Sequence, residues 1–247
     1  MLSLWAKTSG TWINIALILI GTGNGLLLRG RLPQPMQQII TQAVGLITIF
    51  IGVTMAQPLT EVSVGNLAGI VVGLVALVSG GLLGEWLAIE ARLLALGSWL
   101  KQQVGGGGKF TEGFVAASLL FSIGPMAILG SLNNGLSGDG TILIIKGTMD
   151  GLISVALTGS YGVGVGFSIL PLGLYQGALS LLAASFAGGL GDPAVHPGVL
   201  LVTGVGGVMI MGIGINLLEL ASVRVASFLP ALVLTPVFYQ LGTLLPK

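Results

Sequence analysis

The sequence has no cysteine and a single histidine, His196. That excludes disulfides, thiolate metal sites, cysteine catalysis and any histidine-rich metal cluster. Charge is equally scarce: 7% of the 247 residues are charged, where a soluble domain carries about 25%. Such a chain cannot cover a water-facing surface, so its solvent must be lipid. The net charge of +1 leaves no broad basic face for nucleic acid. No Ser/His/Asp, paired-aspartate or histidine-metal grouping is present, so the chain reads as no enzyme, with no cofactor implied.

Apolar residues make up 53% of the chain, and its 42 glycines are scattered through apolar runs. In membranes that distribution marks close helix–helix contact. The expected fold is all-α: a polytopic membrane bundle of about eight spans plus one interfacial amphipathic helix. Lys7 is a thin positive region before a span-length run, so the first helix reads as permanent and not as a cleaved leader.

The expected spans are about Thr11–Leu28, Met36–Ala56, Val64–Leu83, Glu112–Leu132, Thr141–Ser160, Phe167–Ala187, Gly198–Leu218 and Ala226–Leu245. Glu85–Val104 places Trp86, Ile89, Leu93, Leu96 and Leu100 near helical spacing, with Glu90, Arg92 and Lys101 between them. That pattern suits a helix at the headgroup level. Gly105–Gly108 reads as a linker between an N-terminal and a C-terminal part of one membrane domain, 1–247. Pro125 bends the fourth span, Asn133–Gly140 reads as a loop, and Tyr161–Gly166 as a tight connection or an unwound segment. Asn24-Gly25-Leu26 and Asn134-Gly135-Leu136 are a weak internal echo of the kind repeats leave. With eight spans, Arg29, Arg31, Arg92, Lys101, Lys109 and Arg224 share one side. That side is the cytoplasmic one, and both termini lie on the other.

Several blocks resemble a known family. GTWINIALILIGTGNGLLLRGRLP, QAVGLITIFIGVTMA and GGLLGEWLAIEARLLALGSWL do so in the N-terminal part. FTEGFVAASLLFSIGPMAILGSLNNGLSGD, KGTMDGLISVALTGSYGVGVGFSILPLGLYQG and GIGINLLEL continue in the same order. They are similar to the bacterial membrane family catalogued as domain of unknown function 554. The resemblance implies a bacterial inner-membrane protein and brings no activity with it.

Lys146 and Asp150 stand four residues apart in ILIIKGTMDGLISVALTG, hence on one helix face. Each charge at bilayer depth costs roughly 2.5–3.5 kcal/mol on the insertion scale, and opposite neighbours offset part of it. Asp150 is the acid this reading places deepest. Its functional reading is a cation or proton site with Lys146 as a displaceable counter-ion. The plainer reading is a structural staple, or a lysine that snorkels to the headgroups. Gln176, Asn216 and Gln42 rank next as polar neighbours, with Asn14, Asn24, Thr41, Ser118, Ser122 and Tyr175 as further lining of a polar path. His196 beside Asp192 reads as a solvated loop residue. Two functions follow: a transporter or channel for a small ion or polar metabolite, or a non-transporting scaffold whose glycine faces pack against another chain. The same faces leave homo-oligomerisation open.

Overall fold

A computed structural model describes residues 3–29, 33–186 and 195–244, the side chains of Pro125 and of 184–186 excepted. Arg31, Asp192 and Lys247 lie outside the described residues. The chain is an all-α helical bundle with the apolar spans of a multi-pass membrane protein. Seven helical segments are long and apolar enough to cross a bilayer, or eight if one bent pair makes a single span. They are Leu4–Arg29, Gln34–Glu61, Gly69–Trp86, Thr141–Tyr161, Val163–Ala183, Pro197–Leu217 and Val225–Leu244.

In chain order the helices are α1 (Leu4–Arg29), α2 (Gln34–Ala56), α3 (Pro58–Glu61), α4 (Gly69–Trp86), α5 (Ile89–Gln103), α6 (Phe110–Ser122) and α7 (Pro125–Ser137). Then follow α8 (Thr141–Tyr161), α9 (Ile169–Phe186), α10 (Pro197–Leu217) and α11 (Leu229–Leu244). Short 3-10 segments, Val163–Ser168 and Val225–Phe228, lead into α9 and α11.

Four expected boundaries are corrected. The third span does not begin at Val64, because β1 (Ser63–Val64) and β2 (Leu67–Ala68) pair as a short antiparallel hairpin around Gly65, at φ +59°. The fourth span is not one helix. Gly124 adopts φ 152° and ψ 155°, a region open essentially to glycine alone, and α6 and α7 meet there at 60°. Asn133–Ser137 is not a loop but the end of α7, closed by Gly138 in the left-handed conformation. Ala226–Phe228 is a 3-10 turn, and Pro230 lies in the first turn of α11, where its missing N–H is harmless.

The chain folds into two compact units, Met1–Val44 with Leu94–Gly191 and Gly45–Leu93 with Asp192–Lys247. The boundaries run through α2 and α5, not through Gly105–Gly108. In the first unit α1 packs along α8 and also meets α7 and α9. Gly10 lies against Leu143, Gly147 against Asn14, and Gly25 against Val155 and Thr158, so α1 and α8 run parallel. At Gly21 a side chain would overlap the Gly151 backbone, because the two helices touch main chain to main chain. In the second unit Gly45, Gly52 and Ala56 of α2 meet Gly214, Met211 and Gly207 of α10 in antiparallel order. There α4 packs antiparallel on α11, Gly80 against Ala231 and Gly65 against Gly242. Each of these directions matches what eight alternating spans require. The echo at Asn24 and Asn134 has no common structural role. Asn24 is exposed and donates to the Ile20 carbonyl, whereas Asn134 is fully buried.

Candidate functional site

The first unit buries its polar side chains where α1, α7, α8 and α9 meet. On α8 the inward face repeats as Leu143, Lys146, Gly147, Asp150, Gly151, Ser154 and Leu157. Helical spacing therefore puts both charges inside, each only 6% exposed. Lys146 Nζ donates to Asp150 Oδ2, and the two form an ion pair one turn apart. Ser154 Oγ closes on the Asp150 carbonyl at 2.8 Å, leaving the carboxylate to other partners.

Those partners come from helices distant in sequence. Asn14 of α1, fully buried, donates from Nδ2 to Asp150 Oδ2 at 3.2 Å and to Gln176 Oε1 of α9 at 3.4 Å. Gly147 permits this approach, since a side chain there would strike the Asn14 backbone. Gln176 is likewise fully buried. Half of the amide capacity is unspent: Asn14 Oδ1 and Gln176 Nε2 are buried without a protein partner among the described residues. The hydroxyls of Thr11, Ser131 and Ser180, on α1, α7 and α9, are in the same condition.

The broken span belongs to this neighbourhood. Gly113 of α6 rests against Tyr161 at the end of α8, and Gly130 of α7 against Leu143 near its start. Gly124 stands between these two contacts in the broken span, as Asp150 stands between Leu143 and Tyr161 on α8. The interruption therefore falls near the depth of the carboxylate. Broken helices at depth are tolerated where they are packed in protein or line water.

Of the expected site residues, Lys146, Asp150 and Gln176 come together. Gln42 does not join them; it is exposed on α2. Asn216 belongs to the second unit, where it ties off the turn after α10. Its Nδ2 donates to the Val223 carbonyl and its Oδ1 accepts from Val223 N, both at 2.8 Å. Thr41 bonds Ser160 at 2.5 Å and the Gln37 carbonyl at 3.0 Å. His196 is not merely solvated: it caps α10 by accepting from Gly198 N and meets Tyr239 edge-on. Asn14, ranked only as further lining, is the hub of the cluster. Asn134, in a stretch whose sequence reads as a loop, holds α1 to α7, accepting from Gly10 N and donating to the Ala6 carbonyl, both at 2.9 Å.

Charges outside the spans sit at helix ends. Arg29, at the end of α1, lies over Gly162 at the end of α8 and beside Gly108. Lys101 donates to the Gly108 carbonyl at 3.0 Å, and Lys109 stands 5.8 Å from the Tyr161 ring centre. In the second unit Arg224 pairs with Glu85 at 2.5 Å. Glu90 accepts from Ala226 N at 2.9 Å, and partial burial holds its carboxyl above the usual range. Among the described residues no group of three or more His, Asp and Glu is placed to hold a metal ion.

Comparison with known proteins locates the chain among its kin. The family model described as "Protein of unknown function (DUF554)" matches residues 9–240. The uncharacterized membrane protein YdfK of Bacillus subtilis (strain 168) is 29% identical over 229 residues, 92% of this chain and 94% of the relative. The uncharacterized protein YqgA of Escherichia coli (strain K12) is 28% identical over 232 residues, 91% of this chain and 93% of the relative. No solved structure matches the chain.

Proposed function

We propose, for a chain that belongs to the DUF554 family of proteins of unknown function, a transporter or channel for a small ion or polar metabolite. Its site is the Lys146–Asp150 pair with Asn14 and Gln176. One observation carries this reading: a buried ion pair is joined by two buried amides whose donors and acceptors are only half used. A structural ion pair is finished when its lone pairs and protons are satisfied. This one keeps capacity for a guest. The interrupted span at Gly124 supplies a place for helix movement near the same depth.

The protein would work in the bacterial inner membrane, with the lipid bilayer around it, no nucleic acid partner and no cofactor. The gathering of Arg29, Lys101 and Lys109 at one end of the first unit supports a cytoplasmic assignment for that end. Both termini are then on the opposite side, which reporter fusions at residues 1 and 247 test directly. The test of transport is flux of Na+, K+ and protons into vesicles of purified protein. Asp150→Asn should lower the rate tenfold or more while the variant stays monodisperse. A folded Asp150→Asn protein that transports at the parent rate overturns the assignment.

A second reading draws on the directness of the Lys146–Asp150 contact, which suits a staple in a membrane scaffold. It predicts that a Lys146→Met/Asp150→Leu protein keeps its biological activity, and that mild detergent recovers a stable complex, with itself or with another chain.

A further inference from the structure

Building on the proposed function, we infer that the ammonium of Lys146 occupies the place of a monovalent alkali cation, and that the two exchange at Asp150. Three observations meet here. First, Asn14 Nδ2 lies 3.2 Å from Asp150 Oδ2 and 3.4 Å from Gln176 Oε1. Turning the Asn14 amide over would bring its Oδ1, now without a partner among the described residues, into that position. The result is three oxygens from α1, α8 and α9 at spacings of 3.2 and 3.4 Å. Such edges suit a hard cation with bonds of about 2.4 Å to oxygen.

Second, the charge balance selects the guest. Asp150 brings one negative charge, and among the described residues no cluster of acids supplies more. A monovalent cation in place of the ammonium keeps the site neutral, whereas a divalent cation leaves an excess positive charge at depth. A proton on Asp150 also balances the charge once Lys146 withdraws, but it leaves the Asn14 and Gln176 oxygens without a cation to bind, so the guest that uses the whole site is the alkali ion.

Third, Lys146 has somewhere to go. Helical side chains lean toward the helix N-terminus, and here Lys146 is held toward the C-terminal side by Asp150. Thr141, where α8 begins, is five residues away, about 7.5 Å along the axis. That distance is of the order of the lysine stem, so a released Lys146 can snorkel toward the membrane edge.

The test uses Lys146→Met, purified in detergent, with melting followed in chloride salts of Na+, K+, Li+ and choline at equal ionic strength and constant pH. Without its ammonium, the carboxylate should take the alkali ion. The expected result is a melting temperature about 5 °C higher in at least one alkali salt than in choline. Lys146→Met/Asp150→Asn should melt alike in all four salts. If Lys146→Met is recovered only when an alkali salt is present throughout purification, that recovery supports the inference equally. Equal melting of Lys146→Met in every salt overturns it, as does failure to recover Lys146→Met in any salt while the double variant folds. The transport assay separates the two levels. Loss of flux in Asp150→Asn with no cation effect on Lys146→Met defeats the exchange and leaves the transporter reading. A cation effect with undiminished flux defeats transport and leaves the site.

Discussion

The two units solve the problem of living in lipid in opposite ways. In the second unit the buried polar side chains among the described residues are hydroxyls, Thr48, Thr203, Ser227 and Thr235. Its charges are held at helix ends, as Glu85 with Arg224 and Glu90 against the Ala226 amide. Its central helix, α10, buries glycine and aliphatic residues along nearly its whole length. In the first unit the buried set includes Asn14, Asn134, Lys146, Asp150 and Gln176. Both units use glycine to bring backbones together, so close packing alone does not require polar interiors. The difference is why the proposed site is sought in the first unit.

The largest expected effect sharpens this contrast. Replacing Lys146 or Asp150 singly with an apolar residue should cost about 3–5 kcal/mol, because a buried charge loses its partner, and replacing both should recover most of it. The exposed pair in the second unit, with side chains 66% and 51% accessible, should respond by only about 0–1 kcal/mol to Arg224→Gln. Denaturant titration of purified protein in mild detergent compares them, and equal losses would break the contrast.

Next come the glycines. Gly21→Ala drives a methyl into the Gly151 carbonyl and Gly84→Ala into the Ser227 carbonyl. Each should cost about 1–3 kcal/mol through overpacking, and the two should be alike, since main-chain contact is common to both units. Melting temperatures of the two variants check this.

A smaller effect separates the amides. Asn14→Ala should leave Lys146 paired but reduce any Asp150-dependent flux, whereas Asn216→Ala should lower the melting temperature by removing two bonds to Val223 while flux persists.

The smallest concerns Glu90, at the end of the second unit. Its folded carboxyl titrates above the ordinary glutamate value of 4.5 because burial disfavours the charged form. The native state thus holds the proton more tightly, and stability declines as pH rises from about 4.5 through the folded titration. Glu90→Gln should remove that decline. Its melting temperature relative to the parent should be more favourable at pH 7 than at pH 4, and an unchanged difference would contradict the burial.

Much of this was legible beforehand where chemistry is local. Span positions follow from hydropathy. The shared face of Lys146 and Asp150 follows from helical period, and the interruption of the fourth span beside Pro125 from a proline ring that cannot continue the preceding helix. What escaped depends on partners far along the chain. Asn14 and Asp150 are 136 residues apart, and nothing in the surroundings of Asn14 announces the contact. Gln42 has the same chemistry as Gln176 but faces outward, a matter of helix rotation set by Gly45 and Gly52 against α10. Asn133–Ser137 carries turn residues, yet packing of Gly135 against Ser180 and the bonds of Asn134 keep it helical. Gly65 at positive φ lets the hairpin form before α4, overriding an apolar run that otherwise reads as helix.

The parallel contact of α1 with α8 also sets a timetable for synthesis. Asn14 leaves the ribosome 136 residues ahead of Asp150, a delay of roughly 7–27 s at ordinary translation rates. During that interval α1 has neither its carboxylate nor the Gly151 surface that Gly21 will touch. A newborn first helix must therefore wait in the bilayer with a solitary amide, and its docking onto α8 is a late event in biogenesis. Slowing translation between codons 30 and 140 would lengthen the vulnerable period without altering a single residue of the finished protein.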